Sequence, residues 1–254
     1  MKKRICLIIF GVITLLVIAF LLYTGQYYHA DKTALAALES DDTVQVTETE
    51  YGWFFDGPSE TEALIFYPGA KVEETAYAPL LHLIAKEGMD VCLVKMPFRL
   101  AFLGINSADQ IMQQYDYDSW YIGGHSLGGV MAADYASRHS EELTGIVLLA
   151  SYSVKPLDDS LHAISIYGSE DGVLNMEKMY EQDHNLPAGS EQHVIEGGNH
   201  AQFGNYGEQK GDGTASISAK EQQRQTAELI RFGSYGNADC YKLGNAKRRR
   251  RCAD

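Results

Sequence analysis

Trp120-Tyr121-Ile122-Gly123-Gly124-His125-Ser126-Leu127-Gly128-Gly129-Val130-Met131-Ala132-Ala133 is the stretch whose reading decides the fold. Trp120 to Ile122 is short and apolar, as a buried strand is, while Val130 to Ala133 has the small apolar residues of a packed helix. Between them, residues 124–128 make a GxSxG pattern. Alone that pattern arises by chance; a strand before it and a helix after it give it weight. A strand that turns directly into a helix bends sharply, and side chains at Gly124 and Gly128 would collide across the bend. The bend pushes the Ser126 hydroxyl out past the sheet edge. The helix that follows brings its free N–H groups and positive dipole end to the same spot.

A serine hydroxyl is a weak nucleophile at neutral pH, so such an elbow predicts an acid and then a histidine further along. Asp171 comes at the end of the alternating run Ile164-Ser165-Ile166-Tyr167-Gly168-Ser169-Glu170-Asp171, where a strand gives way to a turn. His200 comes after Val194-Ile195-Glu196-Gly197-Gly198-Asn199, again a strand followed by a glycine-rich loop. Glu170, Asp158 and Asp159 are the competing carboxylates. His82, His139, His162, His184 and His193 follow no such strand and loop and read as surface or packing residues. His125, adjacent to the serine, points elsewhere and orients the turn.

With Ser126, Asp171 and His200 in that chain order, the sequence resembles the α/β-hydrolase superfamily over roughly Val44 to Phe232. Within it, the chain looks most like the compact, lid-less bacterial hydrolases related to dienelactone hydrolase, including forms tethered by one N-terminal membrane segment. It departs from dienelactone hydrolases proper in carrying serine where they carry cysteine. The resemblance implies an α/β-hydrolase fold with a mostly parallel central sheet, helices on both faces and minimal or no cap. It also implies an oxyanion hole made by the backbone N–H groups of Ala70 and Leu127. The familiar His-Gly pair before the first donor is replaced by Pro68-Gly69, so Lys71 is an alternative to Ala70. The activity implied is cleavage of a carboxylic ester through an acyl-enzyme. Three other readings stay open: an acyltransferase, an amidase or peptidase with the same residues, and an inactive tethered scaffold that binds a surface ligand.

Working outward, the pattern supports such a sheet. Thr43 to Thr49 and Trp53 to Phe55 read as an edge hairpin. Ala63 to Tyr67 is a continuous apolar run, as expected of a strand covered on both faces, and ends in Pro68-Gly69-Ala70-Lys71. Thr75 to Glu87 has helical spacing with Gly88 as a C-terminal cap, Asp90 to Met96 is a strand, and Asn106 to Tyr115 is a short helix. Gly145 to Ala150 is another buried strand. Only about twenty residues then precede Asp171, too few for a helical cap domain, which predicts an open site. Ser218-Ala219-Lys220-Glu221 fits a capping box that starts a last helix to about Phe232.

Lys2-Lys3-Arg4 precedes about nineteen uncharged residues, Ile5 to Tyr23, long enough to cross most of a ~30 Å hydrocarbon layer. The basic flank favours a cytoplasmic N-terminus with the remainder outside the membrane, and the small-residue cleavage pattern near Tyr28-His29-Ala30 is poor. The expected organisation is a basic flank and transmembrane anchor over 1–30, a stalk over 31–42, the hydrolase domain over 43–233 and a disordered basic tail over 234–254. A cleaved signal peptide with secretion is the competing reading.

Net charge is −13 over 254 residues, distributed as +3 over 1–30, −20 over 31–233 and +4 over the tail. An acidic body lacks the clustered basic surface that phosphate backbones need, so no nucleic-acid partner is expected. The expected partners are a small-molecule or surface-presented acyl substrate and the membrane. Four cysteines make no disulfide framework in a chain this long. Cys6 lies in the apolar segment, Cys92 on a buried strand, and Cys240 and Cys252 in the tail. Neither they nor the eight histidines have metal-ligand spacing, so no metal or other cofactor is expected.

Overall fold

Alternate residues of the central strands face two separate cores, which is what makes this a three-layer molecule. In the computed structural model, which describes residues 2–58 and 61–231, eight strands form one sheet. In chain order these are β1 (Gln45–Thr49), β2 (Gly52–Asp56), β3 (Glu62–Tyr67), β4 (Asp90–Val94), β5 (Ser119–His125), β6 (Gly145–Leu149), β7 (His162–Gly168) and β8 (Glu191–Ile195). Along β3, Leu64 and Phe66 enter one core while Ala63, Ile65 and Tyr67 enter the other. That is the two-residue period of a strand covered on both faces. The first core is closed by α3 (Ala78–Lys86) and by α7 over residues 219–231, the second by α4 (Ser107–Gln114) and α5 (Leu127–Ala136). Leu80, Leu81 and Ile84 of α3 are essentially inaccessible, each contributing about 1.5–3 kcal/mol of apolar burial.

The spatial order is β1-β2-β4-β3-β5-β6-β7-β8, parallel from β4 to β8, with the β1–β2 hairpin antiparallel at one edge. The chain steps outward from β3 to β4, then returns past β3 to β5. The reversal leaves a crevice at the carboxyl ends of β3 and β5, where open α/β sheets bind ligands. Tyr67 pairs with Gly124 there, so the loop after β3 lies beside Ser126.

Several details differ from the sequence reading. The expected helix over Thr75 to Glu87 is a 3-10 turn, Glu74–Tyr77, followed by α3, because Pro79 in the first turn cannot donate to a preceding carbonyl. Only half of the capping box forms. Ser218 Oγ accepts from the Glu221 N–H at 3.2 Å, but the Glu221 carboxylate turns forward to Arg224 and Gln225. No helix is inserted between β6 and Asp171; a short α6 (Met176–Glu181) follows instead. Residues 31–42 include α2 (Lys32–Ala36), capped by Asp31 and buried against the body at Ala34. The expected basic tail, with Cys240 and Cys252, lies outside the described residues.

At the N-terminus α1 (Lys2–Gly25) is long and apolar enough to span a bilayer, and none of its spanning window is buried. Its end meets the body directly. The Tyr28 N–H donates to the Lys71 carbonyl at 2.8 Å, and its carbonyl accepts from the Glu73 N–H at 2.9 Å.

Candidate active site

Ser126 follows the last residue of β5 and precedes the first of α5, with φ 54° and ψ −125°, a backbone conformation unfavourable for a residue with a side chain. Surrounding contacts hold it there. Its N–H donates to the Leu149 carbonyl at 2.9 Å, and its own carbonyl accepts from Ser151 Oγ at 2.9 Å and from the Val130 N–H at 3.2 Å. The glycines of the motif are required by space. A Cβ on Gly128 would lie 2.1 Å from the Tyr67 carbonyl oxygen, and one on Gly124 would lie 2.7 Å from the Gly128 carbonyl carbon. The N-terminus of α5 therefore sits tight against the end of β3.

Two loops on the same sheet edge bring Asp171 and His200 together. Asp171 Oδ2 lies 2.8 Å from His200 Nδ1, with both side chains 1% exposed. A carboxylate only accepts, so Nδ1 carries the proton and Nε2 presents a lone pair. The other Asp171 oxygen accepts from the N–H groups of Val173 and Leu174 at 2.9 and 2.8 Å, which fixes the carboxylate's orientation. His200 Nε2 is buried and has no protein partner. The competing carboxylates are elsewhere. Glu170 accepts from its neighbour Ser169, Asp158 from the Ser160 N–H and Asp159 from the Ala188 N–H.

Around the predicted oxyanion donors, the loop after β3 shows which N–H groups are committed. The Gly69 N–H donates to Tyr77 Oη at 3.1 Å and the Lys71 N–H to the Arg99 carbonyl at 2.9 Å. The N–H groups of Ala70 and of Leu127, at the start of α5, are used in neither way. Lys71 is itself in the left-handed region, at φ 57°.

Three residues of this site stood out in no sequence pattern. Asp212 binds four N–H groups, those of Gly172, His200, Ala201 and Gly213, at 3.1, 3.2, 2.8 and 2.8 Å, and so ties the acid loop to the base loop. Its only sequence signal is its place between two glycines. Ser151 braces the elbow as described. Tyr77 is fully buried and shares a 2.8 Å hydrogen bond with His125 Nδ1. The His125 ring lies 4.5 Å from that of His200, centroid to centroid, and 5.6 Å from Phe203. Burial, followed by electrostatic repulsion from the neighbouring His200 ring, holds the His125 imidazole well below the usual histidine value. It is therefore neutral, and since the Tyr77 hydroxyl accepts from the Gly69 N–H and has no other acceptor among the described residues for its own proton, it donates to Nδ1 and leaves the imidazole proton on Nε2. His125 faces the base as well as orienting the turn.

A mostly parallel sheet with helices on both faces, a serine on the strand-to-helix turn after β5 and an Asp–His pair after β7 and β8 define the α/β-hydrolase class. The model of the alpha/beta hydrolase family matches residues 63–224, and the chain belongs to that family. No curated protein matches it by sequence. Among solved structures it is similar to a predicted CIB-like hydrolase from Thermoplasma acidophilum, at 13% identity and a TM-score of 0.55, covering 74% of this chain and 99% of that one. The naproxen esterase of Bacillus subtilis is 10% identical, with a TM-score of 0.52 and coverage of 79% and 94%. The monoacylglycerol lipase of Paleococcus ferrophilus is 13% identical, with a TM-score of 0.53 and coverage of 69% and 97%. At such identities the likeness is one of fold.

Proposed function

We propose that this chain is a serine hydrolase that cleaves carboxylic esters through an acyl-enzyme, with Ser126 as nucleophile, His200 as base and Asp171 as its partner. The observation that carries this reading is the left-handed Ser126 backbone on the same sheet edge as a buried Asp171–His200 pair whose Nε2 is unpartnered. Ser126 Oγ attacks the acyl carbon as His200 Nε2 takes its proton. The bond from acyl carbon to leaving oxygen then breaks, and the alcohol departs with that proton. Water repeats the sequence: it gives a proton to His200, adds to the acyl carbon and releases the acid and free Ser126. The N–H groups of Ala70 and Leu127 hold the oxyanion in both halves, the second aided by the dipole of α5.

The segment over 1–30 is read as a retained anchor that leaves the hydrolase body at the outer face of the membrane. Lys2-Lys3-Arg4 before the apolar run supports that orientation. Retention is supported by the contacts beyond the helix, since cleavage near Ala30 would strip away Tyr28 and its hydrogen bonds to Lys71 and Glu73.

The test is labelling of the full chain in detergent with a fluorophosphonate, alongside turnover of a short p-nitrophenyl ester. Ser126→Ala is expected to abolish both, and labelling that survives it overturns the reading. Asp171→Asn is expected to lower turnover by about 10⁴, as loss of a buried triad acid does. Glu170→Gln, whose carboxylate touches only Ser169, is expected to stay within about twofold of wild type, an ordinary surface effect.

A further inference from the structure

The C-terminal end of α1 is fastened to the loops after β3 and β4. Phe20 packs edge-on against Phe98, with ring centroids 5.2 Å apart. Lys71 Nζ lies 4.1 Å above the ring of Tyr23, and the Arg99 guanidinium carbon 3.4 Å above that of Tyr27. Lys71 follows Ala70, the proposed oxyanion donor, and its N–H is bonded to Arg99. Three residues of this junction, Lys71, Phe98 and Arg99, are non-glycine residues at φ 57°, 53° and 59°. Such strained residues persist where surrounding contacts over-determine them.

Apolar exposure concentrates on the same edge of the sheet. Outside α1, five of the eight exposed large apolar side chains among the described residues are Phe98, Phe102, Leu103, Val154 and Val173. The first three, 45–50% exposed, lie in the loop after β4, Val154 in the loop after β6, and Val173 two residues beyond Asp171. The turn Ala101–Leu103 packs on α5, the helix that begins immediately after Ser126. An acidic body would not place its apolar side chains here for solubility.

Depth follows from the helix rise. Tyr23 and Tyr27, with Lys71 and Arg99 over their rings, have the composition of a headgroup-level belt of aromatic and basic residues. Phe20 is three residues before Tyr23, ~4.5 Å deeper along the axis, and Phe98 touches Phe20. That is close to the shallow end of the range, about 5–10 Å into the boundary between headgroups and acyl chains, at which the apolar faces of interfacial segments sit.

We propose that the loop over 97–103 is seated in the leaflet where α1 ends, and that the site takes its substrate from the bilayer: the acyl ester of an amphiphile whose chain stays in the membrane. This rests on the serine hydrolase reading above. The occupant of the apolar rim is the phospholipid surface, because α1 runs continuously from that surface onto Phe98, Lys71 and Arg99.

Two measurements on the full chain in phosphatidylcholine vesicles test it. The first does not use activity. Phe102→Trp and the control Gln114→Trp, at the exposed end of α4 on the opposite edge of the sheet, are compared in vesicles whose acyl chains carry bromine, with the parent emission from Trp53 and Trp120 subtracted. Bromine is expected to quench the added emission of Phe102→Trp and leave that of Gln114→Trp unchanged; equal quenching overturns the proposal. The second compares a water-soluble short ester with a long-chain ester dissolved in the bilayer. The double variant Phe102→Asp, Leu103→Asp is expected to lose turnover of the bilayer ester about tenfold or more beyond any loss with the soluble one, from the apolar burial removed. Equal losses overturn the bilayer route. Failure of the hydrolase reading is separately visible, as absence of fluorophosphonate labelling at Ser126 alongside intact quenching at position 102.

Discussion

Tyr77 joins three parts of the site through one hydroxyl, which accepts from the Gly69 N–H and donates to His125 Nδ1. Gly69 opens the loop with the proposed oxyanion donor, and the His125 ring packs on His200. A Cβ at 69 would come within 2.8 Å of that hydroxyl, so the glycine and the tyrosine require each other. Tyr77→Phe leaves a buried N–H and a buried imidazole nitrogen unsatisfied, and urea unfolding is expected to show a loss of about 1–3 kcal/mol. The same pair sets a pH dependence. Below about pH 6.5 the unfolded chain protonates His125 readily, while the folded chain, holding it well below that value, does not. The unfolded state then binds more protons, so this residue's contribution makes stability fall as the pH drops below that point. His125→Asn is expected to shrink the difference between urea midpoints at pH 7.5 and 5.5, and an unchanged difference would show that His125 is not the group responsible.

At the scale of elements, the elbow is one unit made from β5, the bend and α5, and its tolerance is set by the end of β3. Gly128→Ala places a methyl 2.1 Å from the Tyr67 carbonyl oxygen, a backbone atom that cannot swing away. Chemical denaturation is expected to show a loss of at least about 3 kcal/mol, at the upper end for overpacking. This unit was legible in the sequence because its constraints are local. An apolar run, two glycines and a run of small residues each report on neighbours a few positions away. Most strands were legible for the same reason, as continuous or alternating apolar stretches. What escaped notice depends on partners far along the chain. Asp212 has meaning only once Gly172 and His200 lie beside it, and Tyr77 only once β5 brings His125 over it. The Glu221 half of the capping box went astray because Arg224, one turn on, competes for the same carboxylate.

For the whole molecule, the boundary between the apolar N-terminal helix and the body is the feature least visible from patterning. Residues 26–30 are polar and aromatic and residues 31–42 polar and alanine-rich, which reads as a partly helical stalk, yet they dock on the hydrolase body. Tyr28 bridges to Val72 in parallel fashion and its ring packs 5.5 Å from that of Tyr206, while the Ala30 N–H donates to Glu73 at 3.0 Å. A body beginning at Asp31 is therefore incomplete. Compared with one beginning at Thr24, it is expected to be about 2–3 kcal/mol less stable, from the four hydrogen bonds that Tyr28 and Ala30 make to Lys71, Glu73 and Lys210, one of them long. At this size that corresponds to a melting temperature lower by about 4–12 °C. Equal melting temperatures would show that residues 24–30 contribute nothing to the body.

The Asp31 N–H donates to the carbonyl of Asn205 at 2.8 Å, so the segment that follows α1 is fastened by a late-synthesised part of the body. At about 5–20 residues per second, roughly 10–35 s separate the emergence of the two partners from the ribosome. For that interval α1 and the strands behind it wait without their closing contact. The apolar loop after β4 leaves the ribosome in the same window, before the sheet that supports it is complete. On the proposed reading of α1 as a retained anchor, a chain already held by its first helix has a lipid surface within reach throughout, and the segments most prone to self-association are produced beside the one solvent that suits them.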